Sequence, residues 1–246
     1  MPKVEVNDIE MYYEVHGEGP PLLMLHGFTG SSQMWSQWIS EYGPHFQLII
    51  PDYRGHGRTN NPSKEFTHRQ ASEDVFLLLE HLDLKKIKGL GCSSGADILL
   101  HMATKQPDTV ESMVLDSTCP YLPKQAREAS AAFAPTEERW ALYRQIHHFG
   151  DDQINLLISQ LIGLKDNYDD MNFTEPLLST IKAKTLVMTG DRDPMYPVKM
   201  STILFESIPD SYLWIVPNAG HALTFGYVDT VKEGILDFLM GKWEES

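Results

Sequence analysis

Three side chains able to attack an electrophilic carbon stand together in KIKGLGCSSGADILLHMA, residues 86–103: Cys92, Ser93 and Ser94, between Gly91 and Gly95. A serine alcohol needs a neighbouring base to become a nucleophile, and the base needs a third group to fix its tautomer. The apolar run ending at Cys92 predicts a strand and ADILLHMA a helix, so the Gly-x-Ser-x-Gly pattern falls at a strand-to-helix turn, the context of a nucleophile elbow. Such a turn strains its middle residue and lifts that side chain above the sheet, which selects Ser93. The following helix aims N–H groups and its positive dipole end at the same oxygen. Cys92 and Ser94 project elsewhere.

The missing base and its orienter lie downstream. In TLVMTGDRDPMYP a predicted strand ends in a Gly-Asp-Arg-Asp loop that puts Asp193 beyond its carboxyl end, and PNAGHALTF puts His221 in the loop after the last strand. The chain order Ser93, Asp193, His221 is that of one known arrangement of this triad. Each residue also has a plainer reading. Asp193 precedes Pro194 as helix-capping aspartates do, and His221 is an ordinary loop imidazole. Asp116, after the strand that follows the elbow, is the rival acid, and Asp97 in the first turn of the elbow helix answers to the helix dipole.

Elements able to hold these residues in place are legible in hydrophobic patterning. VEVNDIEMYYEV alternates around an Asn-Asp turn and predicts a hairpin. The runs at 21–27, 46–52, 86–92, 112–118, 185–191 and 212–218 are continuously apolar, as parallel strands covered on both faces are. Stretches 71–82 and 229–243 carry apolar residues near the ~3.6-residue helical period. The alternation predicts an α/β fold with a doubly wound, mostly parallel sheet.

One connection breaks that alternation. Between Asp116 and Lys184 no strand pattern occurs, while AREASAAFAPTEERWALYRQIHHF and DDQINLLISQLIGL are amphipathic and helical, punctuated by Pro120, Pro123, Pro135 and Gly150. The expected organisation is a core of residues 1–118 and 183–246 with a helical cap, 119–182, inserted after the sixth strand. Trp35, Phe133, Trp140 and Phe149, with Met24 and Tyr143, are candidates to line an apolar substrate pocket; aromatic residues at helical spacing also serve as core.

Composition bounds the rest. The 246 residues are 42% hydrophobic and 22% charged, enough for one α/β domain with a substantial core. Twenty Lys and Arg against 34 Asp and Glu give a net charge of −14, which repels nucleic-acid phosphates and anionic membrane faces. No apolar run reaches spanning length and the N-terminus lacks a signal pattern, so a soluble cytoplasmic protein is expected. Cys92 and Cys119 have no metal-type spacing and are expected to stay reduced.

Taken together, His26-Gly27-Phe28, Asp52 to Gly57, the elbow at 91–95, Gly190 to Pro197 and Asn218 to His221 resemble the motifs of the α/β-hydrolase fold superfamily, in its capped esterase and lactonase branch, over essentially the whole chain. The resemblance implies an oxyanion hole from the backbone N–H groups of Phe28 and Ser94. It assigns His26, His56, Asp52 and Arg54 to structural bonds beneath the site. Two positions depart from the common pattern: Cys92 where His is frequent, and Gly226 where relatives often carry Glu. The implied activity is hydrolysis of a small ester or lactone through Ser93, His221 and Asp193, with no metal or organic cofactor; the substrate is a small molecule and the oligomeric state is open. A carbon-carbon bond hydrolase, a thioesterase, a perhydrolase and a receptor-like binder with slow turnover are alternatives on the same scaffold.

Overall fold

Continuous apolar strands require cover on both faces, and the computed structural model, which describes residues 2–243, provides it. The strands are β1 (Lys3–Val6), β2 (Ile9–His16), β3 (Pro21–Leu25), β4 (Gln47–Pro51), β5 (Ile87–Cys92), β6 (Val110–Asp116), β7 (Lys184–Gly190) and β8 (Ser211–Val216). The helices are α1 (Ser36–Tyr42), α2 (His68–His81), α3 (Ser94–Lys105), α4 (Lys124–Ala131), α5 (Glu137–Ile146), α6 (Gly150–Gly163), α7 (Glu175–Leu178), α8 (Val198–Ser207), α9 (Leu223–Gly226) and α10 (Val228–Leu239).

One eight-stranded sheet runs in the order β1-β2-β4-β3-β5-β6-β7-β8. The β1–β2 and β2–β4 pairs are antiparallel, and every pair from β4 across to β8 is parallel. Two apolar layers sandwich it. On one face Val75 and Leu78 of α2, Ile98 and Leu99 of α3 and Leu204 of α8 pack on the strands. On the other, Trp38 and Tyr42 of α1 join Val231, Ile235 and Phe238 of α10. The chain leaves β3 for β4 on one side and returns to β5 on the other. That reversal opens a crevice at the carboxyl ends of β3 and β5, where sheets of this kind place their ligands.

Helix boundaries differ from the hydrophobic pattern where capping decides them. The helix predicted from 71 begins at His68, because the Thr67 hydroxyl accepts the Gln70 N–H at 3.0 Å. The helix predicted to run to 243 ends at Leu239, and Gly241 turns the chain away at φ 75°.

Between β6 and β7 lie α4, α5, α6 and α7 with one isolated bridge, Tyr121 to Asn172. Tyr143, Ile146 and Ile154 form a small apolar cluster there, separate from the two sheet layers. Among the described residues no helix is long and apolar enough to cross a membrane.

Candidate active site

The turn from β5 into α3 is built on two close approaches. A Cβ at Gly91 would come within 2.6 Å of the Ala96 nitrogen, and one at Gly95 within 2.1 Å of the Leu25 carbonyl oxygen, so neither position admits a side chain. Ser93, between them, takes φ 51° and ψ −121°, outside the ordinary regions for a residue with a Cβ. Its side chain is half-buried, whereas Cys92 is buried. Burial, reinforced by Asp116, pushes the Cys92 thiol well above its ordinary pKa and keeps it a thiol.

His221 meets Ser93 from the loop after β8. Its Nε2 lies 3.0 Å from Ser93 Oγ, and its Nδ1–H donates to Asp193 Oδ2 at 2.7 Å. Asp193 caps no helix, because α8 starts only at Val198; its Oδ1 accepts the N–H groups of Met195 and Tyr196 in the turn before that helix at 2.7 and 3.0 Å, leaving Oδ2 for the imidazole. Burial alone would lower the His221 pKa. The bond to Asp193 and the negative charges of Asp193, Asp116 and Asp97 outweigh it and raise the pKa.

The imidazole's hydrogen-bond partners are Ser93 and Asp193, and Asp116 serves it differently. Its carboxylate accepts the N–H groups of Leu223 and Thr224 at 3.2 and 2.9 Å and the Thr224 hydroxyl at 2.7 Å, while Ser117 Oγ accepts the Ala222 N–H at 3.0 Å. The end of β6 thus grips the loop that carries His221. Asp97 lies in the first turn of α3, as expected, but it is also fully buried, hydrogen-bonded by the Thr118 hydroxyl and 3.5 Å from His68 Nε2, and burial pushes its pKa up to about 6.

The loop after β3 runs beside the elbow. A Cβ on Gly27 would stand 3.7 Å from Ser93 Cβ, so the backbone leading into Phe28 borders the nucleophile candidate. Ser94 is the first residue of α3, where helical N–H groups have no intrahelical partner. The Phe28 ring leans edge-on against His56 and Phe66 at 4.9 and 5.0 Å. Beneath it His26 donates from Nδ1 to the Gly27 carbonyl at 2.8 Å, with its pKa pushed down by burial to about 3.

Of the aromatic candidates, Trp35 lies elsewhere than expected. Trp35 is sealed in the core between Trp38 and Phe225, at ring distances of 5.7 and 5.3 Å, because a ring on this turn faces α1 and α9. Phe149 is 50% exposed just before α6, and its N–H donates to Gln153 Oε1 at 2.8 Å. Phe133 and Trp140 are half-buried against the Tyr143, Ile146 and Ile154 cluster.

Contacts from this interval to the site loops carry no local signal in the sequence. The Thr29 hydroxyl donates to Tyr143 Oη at 3.1 Å, His147 accepts the Gly57 N–H at Nδ1 and donates to the Thr29 carbonyl from Nε2, both at 3.0 Å, and Gln125 Nε2 donates to the Pro194 carbonyl at 2.6 Å. Only the three-dimensional fold reveals that residues 125, 143 and 147 meet loops 29, 57 and 194.

Comparison with known proteins agrees with this architecture. A putative 2-succinyl-6-hydroxy-2,4-cyclohexadiene-1-carboxylate synthase of Bacillus subtilis is 28% identical over 244 residues, spanning 86% of this chain and 88% of that protein. Serine hydrolase BPHL of Mus musculus is 26% identical, spanning 96% and 85%. A meta-cleavage product hydrolase of Pseudomonas fluorescens superposes with a TM-score of 0.85 at 17% identity, over 99% of this chain and 98% of that one, a likeness of fold. The family model described as the alpha/beta hydrolase fold matches residues 20–152, and the chain belongs to that family.

Proposed function

We propose that the protein is a serine hydrolase cleaving a carboxylic ester or lactone of a small, mostly apolar and uncharged substrate. The observation that carries this reading is the unbroken chain Ser93 Oγ to His221 Nε2 at 3.0 Å and His221 Nδ1 to Asp193 Oδ2 at 2.7 Å, ending on a strained serine. A relative spanning most of the chain is named a serine hydrolase, which supports the same reading.

Ser93 transfers its hydroxyl proton to His221 Nε2 as Oγ bonds to the carbonyl carbon, and the carbonyl electron pair moves onto oxygen. The N–H groups of Phe28 and Ser94 hold that oxyanion; one such donor is worth about 3 kcal/mol of transition-state stabilisation. Collapse breaks the bond to the leaving alkoxide, which takes the proton from His221, and an acyl-Ser93 remains. Water, deprotonated by the same imidazole, attacks the acyl carbon and releases the acid with Ser93 regenerated. Asp193 stays ionised and stabilises the imidazolium.

Residues 119–182 act as a cap in this reading, resting on loops 29, 57 and 194, with Phe133 and Trp140 on the pocket side. The carboxylates of Asp193, Asp116 and Asp97 dominate the field at His221, and the chain carries a net charge of −14, so neutral substrates are favoured over carboxylates. The test is steady-state hydrolysis of a panel of neutral esters, lactones, thioesters, amides and a vinylogous carbon-carbon substrate, with and without a carboxylate. Turnover of neutral esters or lactones above the rest, lost in Ser93→Ala, is the expected result. Preference for the carbon-carbon or the anionic substrates would overturn the assignment.

A further inference from the structure

A second serine, histidine and carboxylate array stands one residue along from the first. Ser94 Oγ lies 3.0 Å from His68 Nε2, and His68 Nδ1–H donates to Asp170 Oδ2 at 2.7 Å. These spacings match those of Ser93, His221 and Asp193. The surroundings do not match: Ser94 is 4% exposed, His68 0% and Asp170 5%. A buried Ser94 is out of a substrate's reach, so a second nucleophile is excluded, and the role of the array follows from what Ser94 holds. Its backbone N–H is the first donor of α3 and stands directly after Ser93.

The array is anchored from three elements. Asp170, in the interval between β6 and β7, accepts the N–H groups of His68 and Arg69 in the first turn of α2 at 2.7 and 3.1 Å. On α3, Asp97 Oδ2 faces His68 Nε2 at 3.5 Å and is itself held by the Thr118 hydroxyl, and His101 Nε2 lies 3.6 Å from Asp170 Oδ1. Burial disfavours charge on His68, but Asp170 and Asp97 outweigh it and raise the pKa. With Nδ1 tied to Asp170, the contact of His68 Nε2 with Ser94 Oγ gives that hydroxyl one preferred position.

We propose that Asp170 and His68 are positioning residues for the oxyanion hole, fixing the first turn of α3 through the Ser94 hydroxyl so that the Ser94 N–H points at the oxygen of a substrate bound to Ser93. The proposal rests on the reading of Ser93 as nucleophile and of the Ser94 N–H as oxyanion donor. Because Asp170 belongs to the inserted interval, docking of residues 167–172 against α2 is part of assembling the hole.

The test uses the full chain with Ser94→Ala, His68→Gln, Asp170→Asn and the double variant Ser94→Ala/His68→Gln. A short-chain activated ester reports kcat and KM, and a trifluoromethyl ketone, whose tetrahedral adduct places its oxygen in the hole, reports oxyanion binding. Each single change is expected to lower kcat by about 10- to 100-fold with KM within about threefold, and to weaken the ketone by a similar factor. The double variant should lose no more than the worse single, because both changes cut one linkage. Multiplying losses in the double variant, or an unchanged affinity for the ketone, would overturn the proposal. Ser94→Ala removes one buried oxygen and leaves the backbone donor in place; should the His68 variant fail to fold, normal kcat in Ser94→Ala alone overturns it. Ser93→Ala serves as the separate control: retained turnover there defeats the underlying reading and this proposal with it, whereas abolished turnover with normal Ser94→Ala defeats the proposal only.

Discussion

His221 Nε2 stands 3.0 Å from Ser93 Oγ although 128 residues separate them, and the end of β6 joins the two. The Asp116 carbonyl accepts the Ser93 N–H at 2.8 Å, while the Asp116 carboxylate and the Ser117 hydroxyl hold the backbone of Ala222, Leu223 and Thr224. Nucleophile and base candidates are therefore referenced to one rigid strand end, although β5 and β8 are not neighbours in the sheet.

That division of labour separates two aspartates by experiment. Asp193→Asn replaces the acceptor of the His221 Nδ1–H with an amide that permits the wrong tautomer, and kcat should fall by about 10⁴-fold with the fold intact. Asp116→Asn keeps one oxygen for the loop amides, and its loss should be smaller, about tenfold. Kinetics with circular dichroism on both variants decide the matter; the reverse ranking would make Asp116 the acid.

The pH profile has a defined sign. The base must be neutral in the free enzyme, and the bond to Asp193 with the surrounding carboxylates raises the His221 pKa, so kcat/KM for a neutral ester should fall with decreasing pH along a limb above the ordinary value of about 6.5. Asp97→Asn removes one of the negative charges responsible and should move the limb to lower pH. A limb at or below the ordinary imidazole value in the unmodified protein would contradict the electrostatic account.

Stability should decline in mild acid for a different set of histidines. Burial holds His26 near a pKa of about 3 and His101 and His147 near about 4, so the unfolded chain takes up protons between pH 6.5 and 4 that the native state refuses. Each such group costs up to about 1.4 kcal/mol per pH unit across that window. The raised pKa of His68 and of His221 acts in the opposite sense, contributing stability at low pH that is lost as pH rises through their folded values. Urea denaturation at pH 7.5, 5.5 and 4.5 should show the midpoint falling with pH, and replacing His147 by Gln should flatten that fall.

Substrate ranking tests the cap. If Phe133 and Trp140 border the pocket, alanine at either position should reorder esters of different chain length by about 1 to 3 kcal/mol while leaving the acidic limb in place. A change in melting temperature with an unaltered ranking would make both rings packing groups of the Tyr143 cluster.

What could be read from the chain and what could not divide along the range of the interactions. Strand runs such as 86–92 and the Gly91 to Gly95 turn announce themselves because burial on both faces and a strained turn each demand particular residue types locally. The helical interval before Lys184 was legible from period and proline spacing. Trp35 was not, because its place depends on Phe225 near the opposite end of the chain, and a pocket aromatic and a core aromatic look alike in sequence. Asp170 escaped for the same reason, and the helix start explained only the place of Asp97, not its partner. Nothing local shows that the fold brings His68 against both carboxylates.

Covalent labelling with a fluorophosphonate, followed by intact-mass and peptide mass spectrometry, identifies the nucleophile. Displacement of fluoride by Ser93 Oγ should add one phosphonyl group to the protein, mapped to Ser93, abolished in Ser93→Ala and retained in Cys92→Ala. A label on Ser94 or Cys92, or no label on folded protein, would contradict the account.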